Sequence, residues 1–157
     1  MTAPPPASAG SSAPASAHAC ARAWAALTAA HARVSGQLAT ALQRACGLTI
    51  TDFEILLRLD AGHGAGQRIG ELTGAIRLSQ PALSRAVARL AGRGFLTRSG
   101  SPDDARCVLI TLTPAGRDIL ATAAGVHASV IDEALLGRLS PAEQELLARA
   151  LARVADG

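Results

Sequence analysis

LSQPALSRAVARLAGRG, residues Leu78 to Gly94, is the stretch that decides the fold. Ser79 can act as a helix N-cap, because its hydroxyl can accept a hydrogen bond from an unpaired first-turn amide, and Pro81 is tolerated where amides lack helical partners. A helix is therefore predicted from about Ser79. Along it, Leu83, Ala86, Val87 and Leu90 recur at helical spacing on one side, while Pro81, Ser84, Arg85, Ala88 and Arg89 share the other. One face is suited to a core; the opposite one is small, polar and basic. Such a face fits a helix lying in the major groove of a duplex, where Ser or Gln can read base edges and Arg can bind guanine or phosphate. It also fits an ordinary solvated helix, so the flanking sequence has to decide between the two.

Upstream, Arg68 to Arg77 (RIGELTGAIR) reads as a short helix with Ile69, Leu72 and Ile76 on one side, and the two helices meet at Arg77-Leu78-Ser79. Downstream, Gly92 and Gly94 stop the second helix and Phe95-Leu96-Thr97-Arg98 has strand character. Gly100 to Asp104 is turn chemistry, followed by Cys107 to Leu112, an apolar, β-branched strand. Helix, turn, helix and hairpin in that order predict a winged helix-turn-helix, a mostly α fold within the α+β class.

A chain of 157 residues is expected to form one domain, with or without a helical extension. At this size it can bury roughly 68–70% of its unfolded surface, so folding requires neither metal nor disulfide. Tyr is absent and the apolar content is carried by Ala, Leu, Ile and Val, which favours close-packed helices. The net charge of +3 says little by itself, but between Arg77 and Arg106 there are six Arg against two Asp. That local excess matches the electrostatic footprint of a duplex-binding face. The three cysteines, Cys20, Cys46 and Cys107, are widely spaced with no C-x-x-C, which argues against a disulfide framework and for a reducing cytoplasm. The residues before Arg22 lack the basic start and apolar core of a signal peptide. The longest later uncharged run, Ile119 to Ile131, is too short to cross a bilayer. A cytoplasmic protein with no membrane partner is expected.

Residues 1–16 are a Pro-, Ser- and Ala-rich tail with almost nothing to bury, and disorder is predicted there. An Ala-rich helix follows from about Ala17 to Ala45, with Trp24, Leu27, Val34, Leu38 and Leu42 as its larger apolar members and Gly47 at its end. Thr51-Asp52-Phe53-Glu54 has the pattern of a capping box opening a helix to about Leu59, with Phe53, Leu56 and Leu57 directed at the core. The Gly-rich DAGHGAG loop, Asp60 to Gly66, lacks the Lys-Ser/Thr ending of a phosphate-binding loop and reads as a connector. After the hairpin, Thr113 and Pro114 open a helix to about Leu136, with an interruption near Gly125. Ser140-Pro141-Ala142-Glu143 is a second capping box, opening a final helix with Leu146, Leu147, Ala150, Leu151 and Val154 in one stripe. The first and last helices carry more apolar face than a winged domain can cover, which points to a homodimer. The expected organisation is a tail (1–16), an N-terminal dimerisation helix (17–50), a winged lobe (51–113) and C-terminal dimerisation helices (114–157).

The run from Ile69 to Gly116, with LSQPALSRAVARL, the Gly94-Phe95-Leu96-Thr97-Arg98 exit, the wing SPDDAR and then VLITLTPAGR, resembles the MarR family of bacterial transcriptional regulators. The resemblance implies a dimer whose winged lobes bind double-stranded DNA at near-palindromic operators, usually as a repressor tuned by ligand or redox state. It places Gln80, Pro81, Ser84 and Arg85 in the groove-reading part of the recognition helix, Ser79 at its cap, and Arg77 and Arg89 on phosphates. Arg106 matches the wing-tip Arg that enters the minor groove, whose negative potential it reads, and Asp104 matches the acid that orients it. Ala105 stands where many members carry a second Arg, and Gly74 is a weak helix former inside the motif's first helix.

For the signal, the resemblance implies a small aromatic acid effector bound between the dimer helices and the lobe, with Trp24 and His31 on the first helix bordering such a pocket. Cys20 stands where a peroxide-sensing branch carries its reactive Cys, but the Tyr that supports that Cys has no counterpart here. Zinc is the third option: His18, Cys20, His31, Cys46, His63 and His127 are suitable side chains, although no H-x-x-x-H or C-x-x-C fixes two on one face. None of these is a cofactor the fold requires. An enzyme would need a nucleophile-base or metal constellation, which the scattered His and Cys do not form, so none is expected. A winged-helix module serving only protein partners would be expected to lack Arg85, Arg89 and Arg106, all of which are present.

Overall fold

The computed structural model describes residues 15–62, 66–76, 78–100 and 108–155. In chain order the elements are α1 (Ala15–Cys46), α2 (Ile50–Ala61), β1 (Gln67–Arg68), α3 (Ile69–Ala75), α4 (Gln80–Gly92), β2 (Leu96–Gly100), β3 (Val108–Leu112), α5 (Pro114–Ala134), a single 3-10 turn (Leu136–Arg138) and α6 (Pro141–Ala155). Helix, turn, helix and hairpin thus occur as the sequence predicts. Of the tail expected over 1–16, residues 1–14 lie outside the described residues, and the last two already belong to α1.

The chain divides into two units, Met1–Arg33 and Val34–Gly157. The first contains the N-terminal part of α1, where Trp24 is 71% exposed and the Thr28 hydroxyl donates to the Trp24 carbonyl. The second is the winged lobe, and its core reaches beyond 51–113 in both directions. Leu38, Leu42 and Cys46 of α1 and Leu120 and Ala123 of α5 share one cluster with Leu56, Leu72, Leu83, Val87, Leu90 and Ile110.

Two overlapping patterns compete for the start of α2, Thr49-x-x-Asp52 and Thr51-x-x-Glu54, and the first is used. The Asp52 amide donates to Thr49 Oγ1 at 3.1 Å and the Thr49 amide donates to Asp52 Oδ2 at 3.0 Å, a reciprocal capping box two residues earlier than expected. The resulting phase buries Asp52, Phe53, Ile55, Leu56 and Leu59 and leaves Leu57, a predicted core residue, half in solvent. The helix before the turn starts at Ile69 because Gln67 and Arg68 instead pair with β3, giving an antiparallel sheet in the order β1-β3-β2. β2 and β3 pair from Leu96↔Leu112 to Gly100↔Val108, and the facing Thr97 and Thr111 hydroxyls lie 2.6 Å apart.

α5 runs through Gly125 without the expected interruption. A single exposed glycine costs about 1 kcal/mol relative to alanine, which packing on either side outweighs. The stretch Pro114–Arg138 is also long and apolar enough to cross a membrane by length and composition, despite the short uncharged run inside it. Within it, Leu120 and Ala123 sit in the lobe's core, while most of the stretch is exposed.

The final capping box forms as predicted. The Ser140 amide and hydroxyl both donate to Glu143 Oε2, at 2.8 and 2.7 Å, and these bonds hold the Glu143 carboxyl below its ordinary range. A depressed carboxyl stabilises the fold above its unfolded-state pKa, and that contribution is lost as pH falls through the folded-state value. Acidification through and below the usual carboxylate range should therefore fray the first turn of α6 before the core opens. Amide exchange at Ser140 and Glu143, corrected for intrinsic rates, should show this, and Glu143→Gln should abolish the pH dependence.

Candidate nucleic-acid interface

α4 presents the two faces its sequence encodes. Leu83, Ala86, Val87 and Leu90 are buried, while Gln80, Pro81, Arg85, Ala88 and Arg89 are exposed and Ser84 is half-buried. Ser79 occupies the N-cap position, but its hydroxyl makes no capping bond; only its carbonyl is used, accepting from the Leu83 amide at 3.0 Å. With extended backbone at Ser79 and Pro81 inside the first turn, the helix starts without that bond. Arg85 forms no ion pair or hydrogen bond with another described residue. Arg77, Asp104 and Arg106, the other residues expected to touch DNA, lie outside the described residues, as do His63 and Cys107.

Arg89, expected on phosphate, already has a protein partner. Its Nη2 lies 2.5 Å from Asp52 Oδ1, and Asp52 is 1% exposed whereas the Arg89 side chain is 48% exposed. One edge of the guanidinium is committed to α2 and the remainder faces solvent. One turn further along, Arg93 donates to the carbonyls of Gly47 at 2.6 Å and Cys46 at 3.0 Å, with its guanidinium 4.7 Å above the Phe95 ring. Cys46 is the last residue of α1 and Gly47 the one after it, at the end where carbonyls lack helical partners and carry the negative end of the helix dipole. Gly47, at φ +61°, turns the chain so that both carbonyls face one side chain. Sequence reading missed both contacts because they join residues far apart in the chain.

The base of the wing is fastened by Thr113. Its hydroxyl donates to the Gly94 carbonyl at 2.7 Å and accepts from the Gly116 amide at 2.9 Å, while its own amide donates to the Phe95 carbonyl at 3.1 Å. The segment leaving α4, the wing and the start of α5 therefore meet at one residue. Gly116 packs so closely that a Cβ there would fall 2.1 Å from the Phe95 oxygen.

Three residues expected to sense a signal, Cys20, Trp24 and His31, lie on α1. Trp24 and His31 are exposed on the N-terminal unit, and Cys20 is exposed on the same helix. Among the described residues no group of three or more His, Cys, Asp or Glu is placed to hold a metal. Cys46 is buried, which pushes its thiol up, an effect the Arg93 charge partly offsets. Because the thiolate is the reactive form, iodoacetamide at neutral pH should label Cys20 at least tenfold faster than Cys46, with denaturant removing the difference; peptide mass spectrometry reads both sites. An open groove of about 650 Å³ lies at the α1–α2 corner, with Thr40, Gln43 and Arg44 on one wall and Ile50 and Thr51 on the other.

Residues 48–108 match the model of the MarR family. Among characterised proteins, the transcriptional regulator HosA of Escherichia coli O111:H- is 45% identical over 64 residues, which cover 41% of this chain and 47% of HosA. The match thus spans about half the length of that relative. Among solved structures, Sco3205, a MarR family transcriptional regulator from Streptomyces coelicolor in complex with DNA, superposes with a TM-score of 0.78 at 29% identity, covering 86% of this chain and 84% of that one. The transcriptional repressor CouR, bound to a 23-mer DNA duplex, gives 0.73 at 30% identity over 83% and 89%.

Proposed function

Because the chain belongs to the MarR family, we propose that it is a homodimeric, cytoplasmic repressor that binds near-palindromic DNA through α4 and releases it when a small aromatic acid binds. The observation that carries this reading is the outward face of α4. Gln80, Pro81, Ser84 and Arg85 stand in the helix's first two turns over a fully buried backing of Leu83, Val87 and Leu90. A rigid helix with short polar and Arg side chains at its N-terminal end is what base reading in the major groove requires. Sco3205 and CouR, solved with DNA, support the same use of the fold, and CouR is a repressor. The exposed Leu146, Leu151 and Val154 of α6 support dimerisation, since one helix face of that composition is stable only when covered. Arg44, on the groove at the α1–α2 corner, supplies a charge for an acid's carboxylate.

Fluorescence anisotropy of the purified protein against DNA from upstream of its own gene, with random duplex as competitor and salt varied, tests the reading. Two chains per site, preference over random duplex and a steep loss with salt are expected, because each neutralised phosphate contributes about 0.9 to the log-log slope. Addition of benzoate- or hydroxybenzoate-type acids should release the DNA. Binding that is indifferent to sequence on every fragment of a genomic library would refute the reading and turn attention to a protein partner.

A further inference from the structure

Arg89 of α4 and Arg93, the helix's C-cap, stand four residues apart and reach the two sides of a single corner. Arg89 meets Asp52 in the first turn of α2, and Arg93 spans the carbonyls of Cys46, the last residue of α1, and of Gly47 after it. Asp52 is itself held, its second oxygen accepting from the Thr49 amide. Among the described residues, the other side chains of α4 in the lobe's core are apolar: Leu83, Ala86, Val87 and Leu90. Apolar contact is non-directional, whereas charge-assisted hydrogen bonds fix angles. Neither Asp52, which is buried, nor Arg93, at the far end of α4 from Gln80, is placed to read a base.

We propose that Asp52 and Arg93 are positioning residues for DNA reading: with Arg89 they clamp α4 to the α1–α2 corner and set the angle at which its outward face enters the groove. The proposal rests on the DNA-reading role of α4.

The test uses a duplex selected by the wild-type protein from a random pool, an unselected duplex, and the variants Arg93→Gln, Arg93→Lys and Asp52→Asn, each titrated over a salt series and melted thermally. Arg93→Gln and Asp52→Asn should each lose about tenfold on the selected duplex, the effect of one charge-assisted hydrogen bond. Affinity for unselected duplex and the salt slope should not change, and Arg93→Lys, which cannot span two carbonyls, should recover only part of the loss. Unchanged selectivity would overturn the proposal. So would equal losses on both duplexes with a smaller salt slope, which would make Arg93 a phosphate contact, or equal losses that track a fall in folded protein. If Arg93→Gln fails to fold, the isosteric Asp52→Asn decides. Failure of the wild type to select any sequence would overturn DNA reading itself and the clamp with it, and that failure is separable because it appears before any variant is made.

Discussion

Replacing Arg85 by alanine should flatten discrimination at one operator base pair by about 1–3 kcal/mol, roughly a five- to 150-fold loss of preference. The side chain projects from the second turn of α4, exposed and unpaired among the described residues, above Val87 and Leu90, which hold the helix still. A guanidinium so placed is free to bind guanine through a rigid planar fork that an ammonium lacks, so Arg85→Lys should restore affinity more than selectivity. Binding measured across all single-base variants of the selected site distinguishes the alternatives. A loss confined to one position supports base reading. A uniform loss on all sequences, with the salt slope reduced by about 0.9, would make Arg85 a phosphate contact.

Of the described glycines, Gly116 should be the most damaging to replace by alanine. The new Cβ would meet the Phe95 carbonyl oxygen at 2.1 Å, and that oxygen already accepts from the Thr113 amide, so it cannot withdraw without breaking the fastening of the wing. Overpacking against backbone falls at the top of the usual range, about 3 kcal/mol, and for a chain of this length it should lower the melting temperature by roughly 6–12 °C. Gly125→Ala is the control: its Cβ would meet nothing within 4 Å. Added helix propensity there should leave the melting temperature equal or higher. A Gly116→Ala protein that melts with the wild type would show that α5 can move away from Phe95, contrary to the packing described.

The parts of the fold that could be read from sequence are those governed by local rules. The buried stripe of α4 is right at all four positions because helical periodicity, the early proline and the Gly92-Gly94 stop all act within a few residues. The Ser140–Glu143 cap is right for the same reason. At the start of α2 the Thr51-Glu54 pattern overlapped a Thr49-Asp52 one, and the second is used, with Asp52 also meeting Arg89 of α4, a tertiary contact that local sequence does not reveal. The same phase exchanged Leu57 for Ile55 in the core. β1 is two residues long, too short to show alternation, and it exists only because Ile110 and Leu109 present an open edge. For the interface, the exposed residues of α4 were legible from composition and spacing, but the division of labour among its arginines was not. Arg85, Arg89 and Arg93 look equivalent on a helical wheel, yet only Arg85 is left without a protein partner among the described residues.

The central place of β3 in the sheet also bears on how the chain is made. Gln67 pairs with Ile110, so β1 leaves the ribosome with its partner still unsynthesised. At about 5–20 residues per second the wait is roughly 2–9 seconds, long compared with the microseconds in which helices form. During that interval α2, α3 and α4 can assemble around Leu56, Leu72, Leu83 and Leu90, but the side of the core that Ile110 closes stays open. Nascent chains halted before β3 has emerged from the ribosome should therefore be bound by chaperones, and release should coincide with that emergence.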